Sequence, residues 1–338
     1  MKRFAVIGCG FWSQYQIAAW KEVGGVELVA VYNRTKSRAQ AIADRFGIPK
    51  VYDTVEELLD NEKLDFVDII TDVDTHEKFT LLAAGKGVPV ICQKPMAPSL
   101  EAAERMVSGC KKAGVPFYIH ENWRWQLPIR ALKQKLDEGI IGKPFRARIT
   151  YSNSFPVFDN QPFLAELEQF ILTDIGVHVL DVARFLFGEA ETLYCQIAKV
   201  HKNIKGEDVA TLSMKMKSGM HLTVELSYAS KVEHDRFPET FIHVEGEQGS
   251  IELAPDYWLR TTTREATVAK RINIPYYPWV DSRYEVVHTS IVEANRNLLA
   301  ALNNEGPAET TGKDNLKTLK LVFAAYESAK RNAVVEIK

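Results

Sequence analysis

The sequence has no apolar run long enough to cross a membrane and no excess of charge of either sign. No stretch approaches the roughly eighteen consecutive apolar residues of a membrane-spanning helix. Its 42 lysines and arginines nearly balance its 44 acidic residues, which leaves a formal net charge of -2. There is no basic tail and no long run of charge. We therefore expect neither nucleic acid nor a membrane surface as a partner.

Cysteines are few, and residues that bind metals are not clustered. The four cysteines, Cys9, Cys92, Cys110 and Cys195, are scattered along the chain and form no C-x-x-C pair. This usage favours a protein of the reducing cytoplasm over one held together by disulfides. The eight histidines include no H-E-x-x-H motif, so we expect no metal site.

The pattern of the sequence changes near residue 121. Up to that point, short apolar runs alternate with segments of helical periodicity, which predicts a doubly wound parallel sheet of the Rossmann type. The later residues combine helical segments with several β-type segments separated by glycine turns, which predicts an α+β domain with a mostly antiparallel sheet. The expected fold class is therefore α/β, with domains at residues 1–121 and 122–338.

Some helix boundaries also follow from the sequence. Ser99 and Thr75 are expected N-caps, because a small hydroxyl side chain can accept a hydrogen bond from the first turn. Gly139 and Gly188 are expected to end helices that cover residues 129–138 and 175–187. The stretch at 152–163 between these helices is rich in aromatic residues and is expected to be irregular.

A glycine-rich turn follows the first apolar run. It reads Gly8-Cys9-Gly10-Phe11-Trp12-Ser13, a G-x-G-x-x-S variant of the dinucleotide fingerprint. Gly8 permits a tight turn, Gly10 lets the backbone approach a pyrophosphate, and Ser13 is small enough for close packing of helix on strand. Glycines also occur in many ordinary loops, but the position of this turn within a βαβ pattern favours binding of NAD or NADP.

The end of the second apolar run bears on the choice between NAD and NADP. Sites that prefer NAD usually place a carboxylate there, whereas this chain has Asn33 followed by Arg34. A neutral amide does not repel a 2′-phosphate, and the neighbouring cations could pair with one. We therefore expect a slight preference for NADP. The alternative is that these cations belong to the solvated first turn of the next helix.

Three side chains could carry chemistry. Lys94 follows the fifth apolar run, and Pro95 after it disfavours helix there. Asp174 and His178 are four residues apart on an otherwise apolar helical segment, so we expect them to share one face. Taken separately, they could be a surface lysine, a helix N-cap and a core histidine. Together, the carboxylate and the imidazole indicate a general base.

Five motifs, taken together, resemble the glucose–fructose oxidoreductase / inositol dehydrogenase / MocA superfamily of NAD(P)-dependent enzymes, over nearly the whole chain. They are Gly8 to Trp12, 66–71 with Thr75-His76, Gln93-Lys94-Pro95, 121–125 and Asp174-x-Gly176-x-His178. Two features depart from the family pattern. Gln93 replaces the commoner glutamate, as in a sugar-dehydrogenase-like subset, and residues 72–74 replace a turn that usually contains proline.

The resemblance implies a Rossmann domain and a second domain with an open sheet, through which a homodimer or homotetramer forms. It implies an active site of Lys94, Asp174 and His178. The residues expected to bind the cofactor are Gly8, Gly10, Phe11, Trp12, Asn33, Arg34, Thr71, His76, Gln93 and Lys94. Those expected to bind the substrate are Asn122, Arg124, Gln161, Asp174 and His178, although Arg124 could instead pair with an acid.

The function expected from these residues is oxidation of a sugar or cyclic polyol, either an aldose to a lactone or a ring hydroxyl to a ketone. Segments 121–126 and 151–163 mix aromatics with amides and hydroxyls, which suits a small carbohydrate. Two alternatives stay open. One is a glycoside hydrolase that acts by transient oxidation with tightly held NAD. The other is a nicotinamide-sensing regulator without catalysis, although a sensor has no need of a base.

Overall fold

The first third of the chain folds around a six-stranded sheet. The computed structural model describes residues 1–337, except for the side chain of Asn160. The strands of the sheet are β1 (Lys2–Ile7), β2 (Val26–Tyr32), β3 (Lys50–Tyr52), β4 (Phe66–Ile69), β5 (Val90–Gln93) and β6 (Phe117–His120). They lie in the order β3-β2-β1-β4-β5-β6, and all neighbours pair in parallel. The predicted doubly wound sheet is thus confirmed, with its change of direction between β1 and β4.

Five helices connect these strands: α1 (Ser13–Val23), α2 (Lys36–Phe46), α3 (Val55–Asn61), α4 (His76–Gly85) and α5 (Leu100–Ala113). Ser99 caps α5 as predicted, because its hydroxyl accepts a hydrogen bond from the N–H of Ala102 at 3.2 Å. Thr75 stands at the N-cap position of α4, but the prediction that its side chain caps the helix is wrong. Its hydroxyl donates instead to the hydroxyl of Thr71 at 2.7 Å, within the preceding loop.

An aromatic cluster forms the core of this sheet against α1. Phe4 and Phe66 lie on adjacent strands with their rings stacked 4.8 Å apart, and Trp20 from α1 packs on both. All three are at most 1% exposed. Burial of such large rings supplies much of the hydrophobic free energy of a small core. It also fixes α1 over the sheet, which fixes the glycine turn that leads into this helix.

The second sheet has nine strands: β7 (Pro144–Ser152), β8 (Ala190–Ala198), β9 (Val209–Met216), β10 (His221–Ser227), β11 (Phe241–Gly246), β12 (Gly249–Ala254), β13 (Trp258–Thr263), β14 (Thr267–Arg271) and β15 (Val335–Glu336). They lie in the order β14-β13-β12-β11-β7-β10-β9-β8-β15. Only β7 and β10 pair in parallel. The prediction of a mostly antiparallel sheet is confirmed.

The remaining helices are α6 (Leu127–Asp137), α7 (Val157–Asn160), α8 (Val177–Phe187), α9 (Glu285–Leu302) and α10 (Gly312–Arg331). Helices α6 and α8 pack against strands of the nine-stranded sheet. Four buried side chains, Leu212, Val224, Ile149 and Ile242, lie side by side across β9, β10, β7 and β11. The strict alternation of buried and exposed residues in β9 places one face of the sheet in the core.

Two segments differ from the predicted pattern. The stretch 152–163, expected to be irregular, contains α7 and the start of a 3-10 turn at Pro162–Glu166. The helix expected over 175–187 is α8, but a π-helix at Leu172–Gly176 precedes it. Glu207 supports the entry to this π-helix, because its carboxylate accepts hydrogen bonds from the N–H groups of Phe170 and Leu172, both at 3.2 Å. Periodicity alone cannot reveal a π-turn that a distant carboxylate stabilises.

The described chain divides into two compact units. We call the first the Rossmann unit; it contains residues Met1–Asn122, Pro278–Val280 and Ile291–Leu319. We call the second the mixed-sheet unit; it contains the remaining segments. Within residues 1–337, no helix combines the length and apolarity that a bilayer crossing requires. Over the same range, no group of three or more acidic, histidine or cysteine side chains could hold a metal ion, and all four thiols are free and buried.

Candidate active site

Four of the predicted cofactor residues follow the carboxyl ends of parallel strands in the Rossmann unit. Gly8 follows β1, Asn33 follows β2, Thr71 lies just beyond β4, and Lys94 follows β5. Parallel strands end at the same edge of a sheet, so these residues belong to one edge. Ligands of such sheets bind beyond this edge, near the change of strand direction.

The two glycines of the first turn have different environments. Gly8 has φ +109°, and a Cβ there would lie 2.5 Å from the carbonyl oxygen of Ile70. Gly10 is exposed, and a Cβ there would meet no atom of the described chain within 4 Å, its own neighbours aside. Gly8 is thus required by the fold itself, whereas the open space at Gly10 fits the close approach of a pyrophosphate.

Phe11 and Trp12 lead from this turn into α1. Phe11 is 38% exposed, and its ring meets those of Trp12 and Tyr15 edge-on at 5.6 and 5.4 Å. The first turn of α1 carries no acidic side chain. The N–H groups that begin a helix attract anions. The residues present therefore fit a nicotinamide dinucleotide.

The side chain of Asn33 is held on both sides by backbone groups. Its Oδ1 accepts a hydrogen bond from the N–H of Cys9, and its Nδ2 donates to the carbonyl of Thr35, each at 3.0 Å. Arg34 forms an exposed ion pair with Asp72, with nitrogen and oxygen 3.7 Å apart. Asn33 therefore ties the end of β2 to the glycine turn, while the charge of Arg34 lies beside a carboxylate.

His76 connects two loops at the same edge. It is 1% exposed, its Nε2 lies 3.0 Å from the carbonyl oxygen of Thr71, and its Nδ1 lies 3.1 and 3.3 Å from those of Pro95 and Met96. Burial lowers the pKa of this imidazole, against the effect of the three carbonyls. The structure thus places His76 between the segment after β4 and the turn that carries Lys94, with both ring nitrogens against the backbone.

Lys94 lies at the end of a chain of hydrogen bonds that begins at a buried carboxylate. Its N–H donates to Oε1 of Gln93, and Nε2 of Gln93 donates to Oε1 of Gln16, each at 2.9 Å. Nε2 of Gln16 donates to the carboxylate of Asp68 at 2.7 and 2.8 Å, and the indole of Trp20 donates to Asp68 at 2.8 Å. Burial raises the pKa of Asp68 to about 7, and the indole and amide donors act in the opposite direction.

Asp174 and His178 belong to the mixed-sheet unit. Asp174 lies within the π-helix and accepts a hydrogen bond from the hydroxyl of Tyr228 at 3.2 Å. His178 lies in the first turn of α8, is 5% exposed, and stacks on Trp123 with ring centres 4.6 Å apart. Asp174 thus lies in the π-helix and His178 in the α-helix that continues it.

The other three predicted substrate residues differ in their surroundings. Arg124 directs its Nε and Nη2 at the two oxygens of Asp181, at 2.7 and 2.6 Å, and both side chains are buried. Arg124 therefore pairs with an acid, as the alternative interpretation of the sequence expected, and that acid is Asp181. Gln161 is half-buried, at the start of the turn that precedes Leu164, and Asn122 is buried in the Rossmann unit.

Sequence reasoning missed several residues that support the site. Asp68 is a charged residue within the otherwise apolar run 66–70, and Gln16 and Trp20 are spaced four apart on α1. Both features could have indicated a buried carboxylate with helical partners. Tyr228, which contacts Asp174, gave no comparable signal, because the two residues lie far apart in the sequence.

The fold and the glycine turn define a dinucleotide-binding oxidoreductase. Residues 2–121 match the model of an oxidoreductase family with an NAD-binding Rossmann fold, and residues 129–252 match the GFO/IDH/MocA C-terminal domain. The chain belongs to the GFO/IDH/MocA family. The family that the sequence motifs resembled is thus confirmed, together with a nicotinamide cofactor.

Related proteins cover the whole chain. A D-apiose dehydrogenase from Paraburkholderia graminis is 42% identical over 100% of this chain and 91% of its own length. Another from Rhizobium rhizogenes is 40% identical over 98% of this chain and 96% of its own length. The crystal structure of an oxidoreductase from Agrobacterium radiobacter, in complex with NAD+, L-tartaric acid and magnesium, is 40% identical, with a TM-score of 0.97 over 99% of this chain and 98% of that one.

The contrast between the two glycines gives a first prediction. Gly8→Ala forces a Cβ against a backbone carbonyl at positive φ, and we expect it to lower the free energy of unfolding by about 2 kcal/mol or more. Gly10→Ala should fold normally but bind NAD+ at least about tenfold more weakly, because the methyl group fills the space expected for the pyrophosphate. Urea unfolding and titration with NAD+ measure the two effects. Normal NAD+ affinity in Gly10→Ala would contradict this assignment.

Proposed function

We propose that the protein is an NAD(P)-dependent dehydrogenase that oxidises the hemiacetal carbon of a cyclic aldose to give a lactone, with D-apiose as the leading substrate. The observation that carries this proposal is the similarity of the entire chain, at 42% and 40% identity, to two proteins named D-apiose dehydrogenase. The chain also contains Lys94, Asp174 and His178. These are the groups that such an oxidation needs.

Each of these residues has a role in the proposed reaction. The imidazole of His178 takes the proton of the substrate hydroxyl, and the ammonium of Lys94 stabilises negative charge on the reacting oxygen. Asp174 hydrogen-bonds a neighbouring hydroxyl or orients the imidazole. A nicotinamide cofactor, held by the glycine turn at Gly8 and Gly10, would supply the acceptor for the hydride that leaves the carbon. One C–H bond and one O–H bond break, and a carbonyl forms.

The surroundings of the base suit a sugar. Trp123 stacks on His178, and Tyr151 and Tyr228 pack near it in the mixed-sheet unit, each at most 2% exposed. These buried rings hold the imidazole in a fixed orientation, while the half-buried amide of Gln161 can bind sugar hydroxyls. No arginine is dedicated to a substrate carboxylate in this interpretation, because Arg124 is engaged with Asp181.

The catalytic assignments can be tested by substitution. Lys94→Ala should lower kcat by about a hundredfold or more, because the developing charge on the oxygen loses its partner, while the Kd for NAD+ changes little. His178→Asn should remove from the pH profile of kcat/KM the limb that an imidazole base produces. Lys86→Ala, which removes an exposed lysine paired with Asp60, is the matched control and should retain activity. Normal turnover in folded Lys94→Ala would exclude Lys94 from the mechanism.

The substrate class is tested by comparing aldoses with their open-chain alditols. D-apiose and related aldoses should reduce the cofactor, visible as absorbance at 340 nm, and should yield a lactone that hydroxylamine traps. The matching alditols should not react, because they lack a hemiacetal carbon. Oxidation of an inositol ring hydroxyl would move the assignment to the ketone-forming alternative. Preference for a linear alcohol or a 2-hydroxy acid would contradict the proposal.

We further propose that the cofactor pocket tolerates a 2′-phosphate, with a slight preference for NADP. Asn33→Asp can still accept from the N–H of Cys9, but its charge repels a phosphate. It should lower kcat/KM for NADP relative to NAD by about tenfold or more. Asn33→Ser, which shortens the side chain without adding charge, is the control. If Asn33→Asp changes kcat/KM equally for NADP and NAD, this assignment of the ribose pocket is wrong.

Two further predictions concern the assembly and the compartment. The family resemblance implies a homodimer or homotetramer formed through the open sheet, and the scattered cysteines favour the cytoplasm. Sedimentation of the purified chain measures the first. Neither changes the catalytic assignments above.

A further inference from the structure

We propose that Asp68 is a positioning residue for Lys94, because it sets the order of donors and acceptors along the chain Gln16, Gln93 and the N–H of Lys94. This inference rests on the proposed function, in which Lys94 contacts the reacting oxygen. Asp68 itself is 0% exposed in the middle of β4 and acts only through the intervening amides.

The order begins with Asp68, whose ionised carboxylate, the form that the indole and amide donors favour, can only accept. Both of its oxygens lie within 2.8 Å of Nε2 of Gln16, and one also accepts from the indole of Trp20. The amide of Gln16 must therefore direct its nitrogen towards Asp68 and its oxygen towards Gln93. This orientation is imposed by chemistry, because an amide oxygen against a carboxylate would be two acceptors facing each other.

The amide of Gln93 is oriented for the same reason. The oxygen of Gln16 accepts from Nε2 of Gln93, so the oxygen of Gln93 is left to accept from the N–H of Lys94. Each group in this chain is satisfied in only one arrangement. Because buried polar groups without partners are costly, the arrangement holds the peptide of Lys94 in one position.

A glutamate at position 93 would conflict with this order. Its carboxylate could accept from the N–H of Lys94, but its other oxygen would face the oxygen of Gln16. Turning the Gln16 amide over would only move the conflict to Asp68 as long as that carboxylate is ionised. The presence of glutamine at position 93 is thus matched to the presence of aspartate at position 68.

The order can also be reversed as a whole. An asparagine at position 68 can accept from Trp20 through its oxygen and donate through its nitrogen to the oxygen of Gln16. Gln16 then donates to a glutamate at position 93, which accepts from the N–H of Lys94. Every group is satisfied again. Each single substitution leaves one mismatch, whereas the double substitution leaves none.

The test is a double-mutant cycle of Asp68→Asn and Gln93→Glu in the full chain. Each single variant should lower kcat for D-apiose by about tenfold or more, with the KM for the sugar changed less than kcat, since one buried group loses its partner. The double variant should recover kcat to within about threefold of the wild type. The free energy of unfolding should show the same recovery.

Trp20→Phe is the matched control. It removes a donor from the same carboxylate but leaves the order of the chain unchanged. It should lower stability, and addition of Gln93→Glu should worsen it rather than restore it. Additive effects of Asp68→Asn and Gln93→Glu on both stability and kcat would overturn the proposal. Recovery of stability without recovery of kcat would also overturn the proposal, because the row of hydrogen bonds from Asp68 to Lys94 would then have only a structural role.

The outcome is separable from that of the proposed function. If the wild type oxidises no sugar, the proposed function fails, and hydrogen exchange at the N–H of Lys94 becomes the readout of its position. Exchange should be faster in each single variant and slow again in the double variant. Exchange that stays fast in the double variant would overturn the positioning role of Asp68.

Discussion

The close packing of the first glycine turn against the end of β4 is the constraint on which the cofactor half of the structure depends. Gly8 lies so near the carbonyl of Ile70 that no side chain fits. The turn can approach this closely only because β1 and β4 are parallel neighbours at the change of strand direction. The start of α1, the amide of Asn33 and the segment containing Thr71 all take their positions from this contact.

The Rossmann sheet could be predicted from the sequence because its signals are local. Apolar runs alternate with helices, and a cap such as Ser99 needs only the next three residues. The π-helix at 172–176 could not be predicted, because the N–H groups at its start donate hydrogen bonds to the carboxylate of Glu207, some 35 residues later in the chain. Residue types at the site were predictable, since chemistry restricts them. Their partners were not, as the pairing of Arg124 with Asp181 shows.

The two units bury their polar residues differently. In the Rossmann unit, the carboxylate of Asp68 is buried and accepts hydrogen bonds from Gln16 and Trp20. Gln16 and Gln93 connect it to the N–H of Lys94. In the mixed-sheet unit, the carboxylate of Asp174 is half-buried and contacts the hydroxyl of Tyr228, while His178 is buried by stacking on an aromatic ring. An aromatic ring therefore shields His178 from bulk water, whereas Asp174 keeps partial access to it.

Glu207 has a consequence for how the protein can diversify. Its side chain and its carbonyl oxygen together receive the N–H groups of Phe170, Ile171 and Leu172, and the hydroxyl of Tyr326 donates to the same carboxylate. The segment that carries Asp174 is thus anchored at its start, independently of the stretch 153–169 before it. We therefore expect changes within that stretch to alter the surroundings of Gln161 while the carboxylate of Asp174 stays in place.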